Sequence, residues 1–292
     1  MKWSDFSKLI KLRLTFLVVF SASISFLIGG MASAKTHGVI NWENWGKLII
    51  GGFLVTAAAN CFNEIIEKDY DKLMRRTKDR PIPSGHMTTG QALVLGLFMA
   101  IGGTYLLGSL NLTTGLLSVF SILLYAFAYT PLKRVSPIPA VFVGAIAGAM
   151  PPLIGFVAGY GVIGKIALIM FGIQFVWQFT HFWAIAWVLD DDYKLAGFRL
   201  LPTGKRDRTS AVITFIITIF LIPVSWLPTY YGYGGIYVGI VSLVCSLLFL
   251  YQSFELLRTL EIKAAKRLMY GSFIYLPVVQ LMFLFDFIGK VK

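Results

Sequence analysis

Three side chains able to donate oxygen ligands lie four residues apart in the stretch from Ala59 to Gly85: Asn63, Glu67 and Asp71. At 100° per residue they fall within about 80° of one another, so a helix presents them as one stripe. Asn60 lies beside that face. Amides and carboxylates in register form an oxygen-only set. Such a set suits Mg²⁺, which is commonly held by one or two carboxylates together with substrate phosphates. Lys72, Arg75, Arg76, Lys78 and Arg80 follow directly. Cations next to carboxylates make sense around a metal–diphosphate, with the acids on the metal and the cations on phosphate oxygens. The cations alone would equally fit an ordinary interfacial loop.

A second acidic stretch, Asp190, Asp191 and Asp192, is followed by Tyr193, Lys194 and Arg199. It lies about 120 residues after the first, which suggests a weak internal repeat of two helices and a loop. Just before it, an apolar run carries Trp177, Gln178, His181 and Trp187. A lone histidine in such a run is ordinarily a hydrogen-bonded core residue. The chain has three histidines, and the other two are His37 and His86. Most aromatic rings in such a run anchor or pack, but some near it (Phe175, Trp177, Phe182, Trp183) are candidates to face a cation.

The elements that must position these groups are apolar. The 292 residues are 57% hydrophobic and 14% charged, against about 25% charged in soluble domains. No Asp, Glu, Lys or Arg occurs in Pro81–Leu132, Val135–Gly164, Ile166–Leu189 or Thr209–Phe254. Windows this long leave no polar face for water, and a membrane span needs about 20 apolar residues. The pattern predicts an all-α, polytopic bundle, one domain over 1–292, with spans near 9–31, 46–66, 90–109, 112–130, 138–158, 165–188, 210–229, 234–255 and 267–288. The run after Lys11 and Arg13 is too long for a signal peptide and reads as a retained first helix.

With nine spans, 21 of the 26 Lys and Arg fall on one side, including Lys133 and Arg134. The remainder are Lys35, Lys47, Lys165, Lys290 and Lys292. The positive-inside rule puts the first side, and the N-terminus, in the cytoplasm and the C-terminus outside. The net charge of +12 is thus a topology signal spread between spans, which argues against a nucleic-acid partner. Cys61 and Cys245 both sit in apolar stretches and make no disulfide framework or metal site. Eight of the 14 acids lie in the two segments on the positive side, where a topology signal does not call for them.

Asn63-x3-Glu67-x3-Asp71 with Met74-x-Arg76-Thr77-x2-Arg80-Pro81 resembles the first acidic motif of the UbiA-type intramembrane prenyltransferases. Several stretches are similar to the branch that farnesylates protohaem IX. They are Tyr129-Thr130 with Lys133-Arg134, Gly148 to Gly155, Gln178-x2-His181-Phe182-Trp183, and Asp192-Tyr193-x3-Gly197 leading to Leu201-Pro202. The resemblance runs from about Lys11 to Gly204. It implies a bundle with a central cavity opening to the cytoplasmic side of a bacterial inner membrane. It also implies farnesyl diphosphate as donor and haem b as a substrate, not a retained cofactor.

Residue by residue, the resemblance implies that Asn63, Glu67 and Asp71 hold Mg²⁺ and the diphosphate. Lys72, Arg76, Arg80, Lys133, Lys194 and Arg199 are diphosphate contacts. His181, with Gln178 and Trp177, is the haem contact, and His86 is a weaker second. Asp191, Asp192 and Tyr193 close the site from the second loop. The chain departs from the family pattern in three places. Glu67 stands where Asp is common, Asp190–Asp192 are contiguous instead of four apart, and Lys11-Leu12-Arg13 lacks a proline. Haem A synthase or a terminal oxidase stays open as an assembly partner. Two other readings remain: prenylation of an aromatic quinone precursor, and a non-enzymatic haem or ion transporter. A transporter would place its carboxylates mid-span on several helices.

Overall fold

The computed structural model describes residues 2–33 and 39–291, the side chain of Val291 excepted. Lys35, His37 and Lys292 lie outside the described residues. Among the described residues there are helices and no strands. They are α1 (Trp3–Leu9), α2 (Leu12–Ala32), α3 (Trp42–Asp71), α4 (Thr89–Gly108), α5 (Leu112–Ile122), α6 (Thr130–Leu132), α7 (Pro137–Tyr160), α8 (Lys165–Leu195), α9 (Arg208–Tyr230), α10 (Ile236–Thr259) and α11 (Ile262–Val291). A π-helical turn, Leu123–Tyr129, joins α5 to α6, and the three make one span, Leu112–Leu132. Among the described residues, nine spans are long and apolar enough to cross a bilayer.

The spans follow one another around the bundle, and α2 packs on both α7 and α11 to close it. The α2–α7 crossing is the tightest: a Cβ on Gly155 would run into the Ala22 carbonyl, and Gly159 meets Phe26 in the same way. Bare glycine backbone is what lets the two helices approach so closely. Polar caps set the helix starts. Asn41, Thr88, Asn111 and Asp207 each accept a backbone N–H from the first turn of α3, α4, α5 and α9. The Asp207 carboxyl lies below its ordinary pKa. Slight burial opposes this, and the bonds from Ser210 and Thr203 overcome it.

Two helix ends carry the site. α3 runs on past residue 66 to Asp71, and α8 past 188 to Leu195. Both acidic segments are therefore largely helical, not loops. The first span also differs from expectation. It begins at Leu12, after a break at Ile10–Lys11 that separates the short α1. Lys11 adopts a left-handed backbone, φ 49°, which costs a non-glycine residue about 1–2 kcal/mol. The break leaves the Ile10 carbonyl out of any helix. Thr15 Oγ1 (2.7 Å) and Asn60 Nδ2 (3.2 Å) both donate to it. Asn60, expected beside the ligand stripe, is thus occupied in holding this break.

Candidate active site

Asn63, Glu67 and Asp71 are all buried on the inward face of α3, as their spacing predicts. Each is engaged. Lys11 Nζ donates to Asn63 Oδ1 at 2.6 Å, and Asn63 Nδ2 donates to Glu67 and to the Thr130 hydroxyl, both at 3.0 Å. Lys133 forms an ion pair with Glu67. Arg80 donates to Asp71 at 2.6 Å. Five elements therefore converge: the α1–α2 break, α3, the loop after it, the π turn with α6, and the segment just after α6. The π turn is local chemistry. The Thr130 hydroxyl and backbone N–H both reach the Tyr125 carbonyl, and Pro131 has no N–H to continue an ordinary ladder. That shift directs Tyr125 toward Lys11 (3.3 Å) and Lys133 over the Tyr129 ring (4.9 Å).

The charges respond to this crowding. Burial, with repulsion from Arg80, pushes the half-buried Lys11 ammonium down to about 7, although Glu67 pulls the other way. For Arg80 burial works against the charge, but Asp71 beside it more than offsets that and raises the guanidinium further.

The loop from Lys72 to Thr88 is pinned back over the cluster. Thr77 Oγ1 donates to the Asp71 carbonyl at 2.9 Å. Buried Glu64 accepts the Ile82 N–H at 3.1 Å, and Asp192 accepts the Arg75 N–H at 2.7 Å. Arg76 is exposed; its guanidinium lies over the Tyr193 ring at 6.0 Å, and its backbone N–H donates to Asp192 at 3.4 Å. Lys72 pairs with Asp69 at the surface, away from the cluster. His86 is also at the surface, beside Asp5.

The second acidic segment points elsewhere. Asp190 pairs with Lys194, Asp191 with Arg206, and Asp192 with backbone of the first loop. Arg199 is exposed and packs against Gly204. Asp190, Asp191, Lys194 and Arg199 thus stay out of the cluster, and Asp192 serves as a tether between the two loops. Asp190, Asp191 and Asp192 each turn to a different partner, so the second segment does not gather its carboxylates as the first gathers Glu67 and Asp71.

Further into the bundle, α8 turns Gln174, Gln178 and His181 to one side. Gln174 bonds Gly148, Ser21 and Gln280, and Gln178 lies against Gly148, where a Cβ would collide with it. His181 bonds Ser272 and stacks on Trp177 at 4.4 Å. Phe182 stacks on Tyr129 at 5.9 Å, and so joins this region to Lys133. Phe175 packs with Phe142, which faces outward, and Trp183 is buried against Phe179. Neither of these two borders the cluster. Tyr125, Tyr129, His181 and Phe182 stay half-buried.

Sequence reasoning missed Lys11, Tyr125 and Thr130 as members of this cluster. Lys11 had a usable signal, a lysine just before the first apolar run, but that is also where topology charges sit.

A nine-span helical bundle with an acid–amide–cation cluster at one end defines an intramembrane prenyltransferase, and residues 22–276 match the UbiA prenyltransferase family. The chain belongs to that family. It is 45% identical to the protoheme IX farnesyltransferase of Cytophaga hutchinsonii over 98% of both chains, and 39% identical to that of Christiangramia forsetii over 97% of this chain and 93% of the relative. A solved digeranylgeranylglyceryl phosphate synthase shares the fold, with a TM-score of 0.81 at 20% identity over 98% of each chain. So does a UbiA homolog from Archaeoglobus fulgidus bound to GPP and Mg²⁺, with a TM-score of 0.64 at 12% identity, covering 96% of this chain and 99% of that one.

Proposed function

We infer that the chain transfers a farnesyl group from farnesyl diphosphate to a vinyl group of haem b, giving haem O. One observation carries this: a diphosphate-type cluster at the membrane face is joined through Tyr129 and Phe182 to a half-buried histidine inside the bundle. The names of the full-length relatives support the same acceptor.

The donor set fits Mg²⁺. It is all oxygen, and buried Asp71 Oδ1 has no hydrogen-bond partner. Asn63, Glu67 and Asp71 would hold the ion, which supplies charge neutralisation to the leaving diphosphate. Lys11, now turned onto Asn63, and Arg80 and Lys133, turned onto Asp71 and Glu67, are the cations nearest to phosphate oxygens entering there. The allylic C–O bond breaks and the diphosphate leaves with the electron pair. The Tyr129 and Phe182 rings border the resulting cation and keep water away. The vinyl π pair forms the new C–C bond, and water adds to the carbon left positive with loss of one proton.

The end rich in Lys and Arg is the cytoplasmic face of a bacterial inner membrane, with the N-terminus on that side and the C-terminus outside. Lys47, Lys165 and Lys290 lie on helix ends at the opposite face, in keeping with this orientation. Purified protein offered farnesyl diphosphate with haem b, or with a hydroxybenzoate or naphthoate, tests the function. Farnesylation of haem b alone is expected. Transfer to the aromatic acid instead would replace this reading with quinone-precursor prenylation.

A further inference from the structure

Helix α11 contributes a group that the mechanism above leaves idle. His181 Nδ1 lies 2.8 Å from the Ser272 hydroxyl. That hydroxyl is 2.6 Å from the Met269 carbonyl, one turn back on α11. Two oxygens come this close only with a proton between them, and a carbonyl has none to give. Serine therefore donates to Met269, and toward His181 it can only accept. An unprotonated Nδ1 would set two lone pairs against each other across 2.8 Å. The imidazole proton is therefore on Nδ1, and the free pair is on Nε2.

The rest of the surroundings favour this state. Trp177 stacks on the ring with planes 17° apart, and its indole N–H donates to the Ser272 carbonyl at 3.1 Å, so one side chain fixes both partners. The other ring neighbours are Phe182 and Phe273, which carry no charge. Nε2 makes no hydrogen bond to a described residue. A histidine whose outer N–H is held by a fixed acceptor and whose other nitrogen is bare is the arrangement that metal-ligating histidines use.

We propose that Ser272 is a positioning residue for the acceptor: it holds the Nδ1 proton of His181 and so presents the Nε2 lone pair as an axial ligand to the iron of haem b. This rests on haem b being the substrate. The iron–imidazole bond would fix the porphyrin relative to the allylic cation, so that one vinyl group meets it. His181 would be the contact and Ser272 would act through it.

The test uses full-length purified protein titrated with haem b, with the reduced complex read by resonance Raman spectroscopy. Wild type should show an iron–imidazole stretching band, and H181A should lack it. S272A should shift that band to lower frequency, because the bond that pulls on the Nδ1 proton is gone. It should also weaken haem binding by about 10-fold or more while the KM for farnesyl diphosphate stays the same. S272T, which keeps the hydroxyl, should keep the wild-type band. If S272A does not accumulate folded, S272C serves, since its thiol is a poorer acceptor and must shift the band in the same direction. An S272A or S272C protein with wild-type band and affinity overturns the proposal. A wild type that binds and converts haem b without any iron–imidazole band overturns it too, and leaves the proposed function standing. A wild type that neither binds nor converts haem b removes both.

Discussion

The two acidic segments sit at corresponding helix ends and are equally mixed with Lys and Arg, yet they are used in opposite ways. On α3, Asn63, Glu67 and Asp71 recur every four residues, so these three face inward and meet Lys11, Lys133 and Arg80 from other elements, while Asp69, off that register, stays at the surface with Lys72. On α8 they are contiguous, so at 100° per residue they fan around the helix. Asp190 and Asp191 find Lys194 and Arg206, and Asp192 takes the backbone of the first loop. The same residue types thus gather into an inward cluster in one place and act as a fastening in the other. Spacing decides which.

The largest effect that could break this contrast belongs to the inward set. Glu67→Gln or Asp71→Asn should lower farnesyl transfer by more than about 100-fold, as loss of a preorganised charge does, with helix content unchanged. Steady-state turnover with circular dichroism checks it, and full activity in either would remove the assignment. Next comes Lys11→Met. It leaves Asn63 Oδ1 without its donor and takes a cation from the diphosphate end. A hydrogen bond to a charged group is worth about 1.5–3 kcal/mol, so the KM for farnesyl diphosphate should rise about 10-fold to 100-fold. An unchanged KM would make Lys11 a mere brace for the α1–α2 break.

The outward set should respond weakly. Asp207→Ala removes the α9 cap beside it and should cost about 1 kcal/mol of stability at neutral pH without changing turnover. The sign of its pH dependence follows from the lowered carboxyl. Its stabilisation is present above the ordinary aspartate value, about 3.9, and is lost as pH falls through the lower folded value. Thermal unfolding in detergent should therefore show the gap between wild type and D207A closing on acidification below about pH 4. Smallest of all is Asp191→Asn. Asp191 is 77% exposed, and a surface pair with Arg206 is worth about 0–1 kcal/mol, so activity should stay within about threefold. A large loss there would mean that the second segment does reach the substrate.

What could be read in the sequence follows the same line. Nine spans were legible because charge-free windows and basic loops are one-dimensional signals, and Asn63, Glu67 and Asp71 were legible because they share one helix. Lys133 was legible only through the family resemblance, since its meeting with Glu67 depends on a π turn that no periodicity shows. Lys11 was hidden by its left-handed backbone, which turns an apparent topology charge into the interior. Lys72 and Arg199 were overread for the converse reason. They are close in sequence to the acids, but one points away from the inward face of α3 and the other lies past the end of α8. Ser272 was invisible because it lies on a span with no motif, 91 residues from its partner.

The contrast between the two segments is tested most directly by mass spectrometry of haem extracted from cells expressing wild type, E67Q or D191N. Farnesylated hydroxyethyl haem should accumulate with wild type and D191N and be absent with E67Q. Farnesylated haem made by E67Q, or lost in D191N, would contradict it.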